Sequence, residues 1–269
     1  MIRILSILAG LFFAAALAWS LLWEVVATAH DGLPNSAESN FHKHPRELAL
    51  ASDGVLGRFD KAQLQRGFKV YSEVCSACHS LRYVAYRDLK ALGYNDAEVK
   101  AIAGKAQVPA YNPMTGEMKM NPGLPKDHFP PVVYGGKGSP PDLSLMAKAR
   151  HGGAAYVYSL ITGYAPQPEA LIKRFPDAKT PEGLYYNPYF ANLNIAMPPP
   201  LTSDGQVTYS DGTASTKDQN AKDVAAFLEW TAEPKLDKRK QTGWPVMVFL
   251  LFATVLAWYA KKSVWADRH

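Results

Sequence analysis

Residues 75 to 79 read Cys75-Ser76-Ala77-Cys78-His79 and hold both cysteines of the 269-residue chain. Two cysteines in an exported chain usually suggest a disulfide. Here their spacing, with a histidine directly after the second, is typical of covalent haem attachment. Each thiol adds to one vinyl group of the porphyrin, which places His79 beneath the iron as the proximal ligand. The motif occurs once, so it predicts one haem c, held covalently.

Helical periodicity surrounds this motif. Asp60 is a typical N-cap for a helix over 61–74, on which Leu64, Phe68 and Tyr71 share one face. The same periodicity predicts further helices, over 80–92, 96–103, 142–150, 154–162 and 218–231. The proline- and glycine-rich stretches 104–141 and 163–216 predict long loops, with room for a short hairpin over 206–210. The predicted fold is therefore mainly α, a cytochrome c-type haem domain with long Pro/Gly-rich loop insertions.

Both ends of the chain are apolar. Arg3, the apolar run 4–23 and Ala27-Thr28-Ala29 form a secretory signal, predicted to be cleaved before His30. An uncleaved anchor is the alternative, since about 20 apolar residues span a bilayer. Residues 244–260 carry no charge, and at about 1.5 Å per residue such a helix just spans the hydrocarbon layer. Aromatic residues flank this segment as in an interfacial belt, which favours a single C-terminal transmembrane helix over a buried core helix.

These signals predict a domain order. Residues 1–29 form the signal peptide, 30–240 the periplasmic haem domain, 241–262 the transmembrane anchor and 263–269 a cytoplasmic tail. The domain begins with a polar arm, 30–57, whose histidines His42 and His44 are expected to be solvated. The expected location is the inner (cytoplasmic) membrane, with the haem domain in the periplasm.

The sixth iron ligand has several candidates: Met114, Met118, Met120, Met146, Met197, His128 and His151. Met197 is favoured because it precedes Pro198-Pro199-Pro200, which hold the backbone extended and stiff. Met146 is expected in the core, and the methionines of 114–120 on the surface. His/Met ligation raises the reduction potential and leaves no open position for oxygen, as in an electron carrier.

The chain resembles the cytochrome c1 family, the haem c subunit of the quinol–cytochrome c reductase (cytochrome bc1) complex, of an alphaproteobacterial kind. The resemblance covers essentially the whole mature chain. It rests on seven strings, 64–71, 75–80, 82–87, 140–144, 149–153, 187–190 and 197–200, and on Phe227-Leu228-Glu229-Trp230-Thr231-Ala232-Glu233-Pro234.

The resemblance implies that Met197 is the sixth ligand. It also implies three partners. A Rieske iron–sulfur protein is the electron donor, a soluble cytochrome c is the acceptor, and cytochrome b is the membrane partner that contains the quinol site. Similar proteins usually carry an arginine near a haem propionate, a few residues before the Pro-Pro-Asp string. The matching stretch 131–134 has none, so either Lys137 takes over the propionate or the propionate is solvated, and no residue is assigned to it.

The haem motif and the membrane segments are also compatible with other functions. The net charge of +5 comes from scattered Lys and Arg, which argues against a nucleic-acid partner. A free membrane-anchored cytochrome c that feeds a terminal oxidase is the main alternative. A haem sensor or peroxidase with a vacant sixth position, or a fortuitous motif without haem, are the others.

Overall fold

The computed structural model describes residues 2–31, 35–111, 113–136 and 138–268, so Lys137 lies outside the described residues. The α-helices are α1 (Ile2–Asp31), α2 (Ala37–Phe41), α3 (Lys61–Val70), α4 (Asp96–Gly104), α5 (Met146–Ala149), α6 (Gly153–Thr162), α7 (Glu169–Arg174), α8 (Lys217–Ala232) and α9 (Leu236–Val264). A π-helical turn covers Tyr71–Cys75, and 3₁₀ helices cover Tyr86–Leu92, Pro176–Ala178 and Ala266–Arg268. The described strands form two antiparallel pairs, β1 (Gln107–Tyr111) with β2 (Met118–Pro122) and β3 (Tyr185–Tyr186) with β4 (Asn194–Ile195).

The core forms where α3 crosses α8. At Gly67 the two backbones approach so closely that an added Cβ would lie 2.0 Å from the carbonyl oxygen of Asp223 and 2.6 Å from Cβ of Phe227. The predicted N-cap is confirmed, because the Asp60 carboxylate accepts from the backbone N–H of Ala62 at 2.9 Å. The helix predicted over 218–231 is observed as α8, which buries Val224, Phe227, Leu228 and Thr231.

An ion network that runs from the buried Asp223 to the exposed Asp211 reinforces this crossing. The guanidinium of Arg66 on α3 donates from Nε to Asp223 Oδ2 at 2.9 Å and from Nη1 to Asp211 Oδ2 at 2.7 Å. Asp223 is fully buried, so the arginine supplies the charge that its carboxylate requires. Burial opposes the charge of the guanidinium, but its hydrogen bonds to Asp223 and Asp211 outweigh burial and raise the pKa of Arg66.

The N-terminal arm lies on this core. Apart from the five-residue α2, residues 35–57 are irregular. The backbone N–H of Lys43 donates to the carbonyl of Pro188 at 2.7 Å, and that of Arg46 donates to Ser159 Oγ at 2.8 Å. The Arg46 guanidinium also stacks 4.7 Å from the centre of the Tyr158 ring. These contacts hold an otherwise irregular segment against α6 and against the loop that contains Pro188.

The expected helix over 80–92 is wrong in its first half. Residues 80–85 are irregular because distant groups take their backbone hydrogen bonds: Leu143 donates to the carbonyl of Ser80, and Phe129 to that of Val84. Helix begins only at Tyr86, as a 3₁₀ helix. The helix expected from residue 142 likewise begins late, at Met146.

The two proline-rich stretches contain more regular structure than their composition predicts. Within 104–141, β1 and β2 form a hairpin that accepts Pro109 and Pro122, because a two-stranded sheet leaves one side of each strand free of ladder bonds. Within 163–216 lie α7, β3 and β4. The hairpin considered over 206–210 is absent from that described stretch, where the Gln206 side chain instead accepts from Thr202 N and donates to the carbonyl of Pro200.

Helices α1 and α9 are the two described helices that are long and apolar enough to cross a membrane, by length and composition. Each candidate span has 29 residues, and its most apolar window is not buried within the protein. The uncharged stretch 244–260 falls inside α9, which also contains Pro245. The haem-motif domain therefore lies between two unburied apolar helices.

Candidate functional site

The cysteine motif forms a compact turn at the end of α3. The π-helical turn closes with Ser76 N donating to the carbonyl of Tyr71 at 2.8 Å. The carbonyl of Cys75 then accepts from the N–H groups of Cys78 and His79, at 3.1 and 2.9 Å. Two thiols and an imidazole are thereby held on one helical turn, which is the local arrangement that the spacing predicts.

Both thiols are free and partly buried. Burial, and then the neighbouring Cys78, raises the pKa of the Cys75 thiol to about 12. A thiol with such a pKa is protonated at neutral pH, whereas redox and catalytic cysteines act as thiolates. Cys75 therefore lacks the lowered thiol pKa that is typical of a thiolate redox centre.

His79 is oriented by a distant carbonyl. Its Nδ1 atom lies 2.7 Å from the carbonyl oxygen of Pro141. Because a carbonyl oxygen only accepts, this contact favours the tautomer with the proton on Nδ1, which leaves the Nε2 lone pair available for a metal. The backbone of His79 is held as well, since the hydroxyl of the buried Tyr71 donates to its carbonyl at 2.9 Å.

Asp142 holds the segment that carries this carbonyl. One carboxylate oxygen accepts from Ser80 Oγ and Arg82 N, both at 2.8 Å, and the other accepts from Ser144 N at 3.0 Å. Partial burial opposes ionisation, but these hydrogen bonds outweigh it and lower the pKa of Asp142 below its ordinary value. The ionised side chain ties residues 80–82 to the turn that follows Pro141, so it acts on His79 through position.

An aromatic cluster packs beside the motif. Its members are Phe68, Tyr71, Tyr86, Tyr94, Phe129, Phe227 and Trp230. The Phe129 ring lies 4.3 Å from the ring of Tyr86 and 6.1 Å from that of Tyr71, measured between ring centres. Such rings exclude water and lower the local dielectric, which suits a large planar apolar group.

Met197 lies two residues after β4 and is partly buried. The Tyr164 hydroxyl donates to its backbone carbonyl at 3.0 Å. In the turn that precedes β4, Leu193 has a φ of +64°, which is unusual for a large side chain. The buried side chain of Leu193 holds this turn in place. Together with Pro198 this fixes the backbone on both sides of the thioether.

The other candidate ligands lie in different settings. Met114, Met118 and Met120 are exposed on or beside the β1–β2 hairpin, as expected. Met146 is partly buried and packs against the core, also as expected. His128 and His151 are exposed, as are His42 and His44 in the arm.

Three positioning residues were not singled out from the sequence: Tyr71 as a donor to His79, Asp142 and Tyr164. A signal existed for one of them, because Asp142 belongs to the Pro140-Pro141-Asp142 string and an aspartate before Ser144 is typical of a side-chain-capped turn. Nothing along the chain connects Tyr164 with Met197.

The residues present fit a haem c. Two free thiols with the required spacing, an imidazole with Nε2 available, a partly buried thioether and an aromatic cluster are the donor set and the surroundings that such a group needs. Among the described residues no cluster of three or more His, Cys, Asp or Glu could hold a bare metal ion.

Comparison with known proteins agrees with this chemistry. A family model described as the cytochrome C1 family matches residues 50–268. Cytochrome c1 of Rhodospirillum rubrum is 44% identical over 236 residues, covering 80% of this chain and 85% of that protein. A mitochondrial cytochrome c1 heme protein of Solanum tuberosum is 41% identical over 221 residues, covering 79% and 82%. A cytochrome b/c1 of Bradyrhizobium diazoefficiens is 43% identical over 239 residues, 80% of this chain but 35% of that longer protein.

Proposed function

Because this chain belongs to the cytochrome c1 family, we propose that it carries electrons from a Rieske iron–sulfur protein to a soluble cytochrome c through one covalent haem c. The family assigns the coarser role, that of a haem-carrying electron-transfer subunit of the cytochrome bc1 complex, associated with cytochrome b. The donor, the acceptor and the attachment are the finer parts of the proposal. The turn from Cys75 to His79 is the observation that carries it.

Attachment is proposed at Cys75 and Cys78. Both thiols are free and are presented on the same turn as His79, which supports a thioether bond from each to the porphyrin. Haem that stays with the polypeptide on acid–acetone extraction is the expected result. Haem that separates from the polypeptide on this extraction would contradict covalent attachment and would favour the alternative of a fortuitous motif.

The axial ligands are proposed to be His79 and Met197. The contact between His79 Nδ1 and the Pro141 carbonyl leaves Nε2 available, so that His79 would hold the iron through this atom, and the Tyr164 hydroxyl holds the backbone of Met197. When bound with these ligands, haem supplies a one-electron couple of raised potential and has no open position for oxygen or peroxide. The chain itself orients the ligands and keeps water from the aromatic side of the site.

A sensor or peroxidase would need a vacant sixth position. Reduced native protein is therefore expected not to bind carbon monoxide rapidly. Rapid binding would contradict ligation by Met197 and favour the sensor or peroxidase.

The domain order proposed for the membrane is a cleaved signal over 1–29, a periplasmic haem domain over 30–240, an anchor over 241–262 and a cytoplasmic tail over 263–269. Two unburied apolar helices, α1 and α9, support it. Haem c is attached outside the cytoplasm in this arrangement, so the domain must be exported. N-terminal sequencing of the mature chain is expected to begin at His30; a start at Met1 would mean that α1 stays on as an anchor.

Purification in a mild detergent tests the role in the complex. Co-migration of this chain with cytochrome b and a Rieske protein, together with quinol-dependent reduction of soluble cytochrome c, is the expected result. A stable chain that elutes alone and feeds an oxidase directly would instead identify a free membrane-anchored cytochrome c.

A further inference from the structure

A short loop beside the start of α9 exposes two aliphatic side chains. It consists of residues 51–57, Ala51-Ser52-Asp53-Gly54-Val55-Leu56-Gly57, and is called the 51–57 loop below. At its tip Val55 is 66% exposed and Leu56 is 77% exposed. Single exposed aliphatic residues are common on protein surfaces, so the exposure alone has no meaning. The exposure of Val55 and Leu56 becomes informative because the loop lies beside the start of α9.

The loop is tightly closed. Its base is joined by Arg58 N donating to the Ala51 carbonyl at 2.9 Å. Gly54 has a φ of +68°, and a Cβ at Gly57 would lie 1.8 Å from the Asp53 carbonyl oxygen, so both positions require glycine. A loop closed in this way cannot readily fold its apolar tip back onto the domain.

The loop is also fastened to α9. The Lys240 ammonium donates to the carbonyls of Ser52 and Gly54. The carboxylate of Asp237, on the same helix, accepts from Phe59 N at 3.1 Å just after the loop. Two side chains from the first turns of α9 therefore fix the position of the loop along the helix.

That position is the level at which the apolar part of α9 begins. Lys240 precedes Trp244 by four residues, about 6 Å along a helix axis. Trp244 is half exposed and opens the uncharged stretch 244–260. Tryptophan at the end of an apolar span typically lies in the headgroup layer, so the 51–57 loop lies beside the helix at nearly the same depth.

We propose that the 51–57 loop is a second membrane contact, which inserts Val55 and Leu56 into the lipid headgroup layer beside α9. The occupant is lipid because the loop is fastened to the first turns of α9, directly before its uncharged stretch, and because the exposed tip of the loop is aliphatic. The contact would hold the haem domain at a set tilt to the membrane. The proposal rests on the proposed anchor.

Lipid-borne quenchers test this contact in the full-length haem-loaded chain. Leu56→Cys is labelled with an environment-sensitive fluorophore and reconstituted in phosphatidylcholine vesicles with or without doxyl-labelled phosphatidylcholine. Leu251→Cys, in the middle of the uncharged stretch and 71% exposed, reports on the anchor. Val133→Cys, 97% exposed and outside both segments, is the matched surface control. The wild-type chain, carried through labelling, measures background from Cys75 and Cys78.

We expect doxyl lipid to reduce the emission at residue 56 by about half, because an interfacial side chain reaches roughly 5–10 Å into the headgroup and acyl boundary. Emission at 251 should fall at least as much, and emission at 133 should not change. Quenching at 251 without quenching at 56 would overturn the loop contact and leave the anchor in place. No quenching at 251 would overturn the anchor itself.

The same label in the purified complex separates lipid from protein. Quenching by doxyl lipid at residue 56 there supports the membrane contact. Shielding from aqueous iodide without quenching by doxyl lipid would mean that a protein subunit covers the loop, which would overturn the proposal.

Discussion

The imidazole Nδ1 of His79 lies 2.7 Å from the carbonyl oxygen of Pro141, a residue 62 positions further along the chain. This contact joins the turn that presents the two thiols to the proline-rich segment after the β1–β2 hairpin. It determines the orientation of the imidazole and the nitrogen that is free for a metal. The segment that contains Pro141 therefore influences the orientation and the basicity of the His79 imidazole.

Asp142 is expected to act on the site through this carbonyl. In Asp142→Asn the hydrogen bonds from Arg82 and Ser144 weaken, so the Pro141 carbonyl is held less firmly against His79. A weaker hydrogen bond from His79 Nδ1 makes the imidazole a less basic ligand, so the reduction potential should rise. The rise should be smaller than about 59 mV, which is the shift for a tenfold change in the equilibrium constant of a one-electron couple. Redox titration of the holoprotein measures it.

Asp204→Asn is the control for this change. Asp204 also accepts a backbone N–H, from Lys217 at 2.7 Å, but it has no described contact with the segment around Pro141. An equal shift of potential in both variants would contradict a positioning role for Asp142.

Met197→Leu should lower the reduction potential. A thioether ligand stabilises ferrous haem relative to ferric haem, and leucine offers no donor atom. We expect the potential to decrease by more than about 59 mV, the shift for a tenfold change in the equilibrium constant of a one-electron couple. Met146→Leu is the matched control, because Met146 packs against the core and the swap keeps its volume. If the two variants titrate alike, another residue is the sixth ligand.

Gly67→Ala should strongly destabilise the domain. The new methyl group would lie 2.0 Å from the Asp223 carbonyl, so α3 and α8 would have to separate. The free energy of unfolding is expected to fall by about 2 to 3 kcal/mol, as in overpacked cores. At Gly104, by contrast, nothing lies within 4 Å of an added Cβ. Gly104→Ala should therefore change the free energy of unfolding by about 0.5 kcal/mol or less. Denaturant titration measures both; similar losses would contradict the close helix crossing.

The pair formed by Arg66 and Asp211 should make stability depend on acid pH. The N–H of Thr213, followed by the Arg66 guanidinium, lowers the pKa of Asp211 to about 2. In the unfolded chain an aspartate titrates near 3.9. Because the folded pKa is the lower one, the stabilisation is complete above about pH 4 and is lost as the pH falls towards about 2.

The thermal midpoint of Asp211→Asn tests this dependence. The wild type should be more stable than the variant at about pH 6, and the difference should shrink as the pH falls from about 4 towards 2. Asp177→Asn, at an exposed position, should show no such convergence. A wild-type advantage that stays constant at every pH would mean that Asp211 contributes through something other than its charge.

Much of the fold could be predicted where local chemistry decides it. The N-cap at Asp60, the apolar stripe of α8 and the apolar α9 follow from side-chain type and helical spacing alone. The family was also recognisable from its strings, and the comparisons confirm it. Periodicity failed at residues 80–85, whose apolar spacing suits a helix while their backbone groups bond to Asp142, Ser144 and Phe129.

The haem motif and its single occurrence could be read along the chain, and the preference for Met197 over the other methionines stays a prediction from its neighbours. Each depends on neighbouring residues, whether vinyl-matched cysteines or a proline run that stiffens the backbone. The groups that orient those residues could not be read in this way. Pro141 reaches His79, Tyr164 reaches Met197 and Lys240 reaches the 51–57 loop only after the chain has folded. A hydrogen bond between distant segments leaves no periodic trace, because it depends on where the packed core brings the two backbones together.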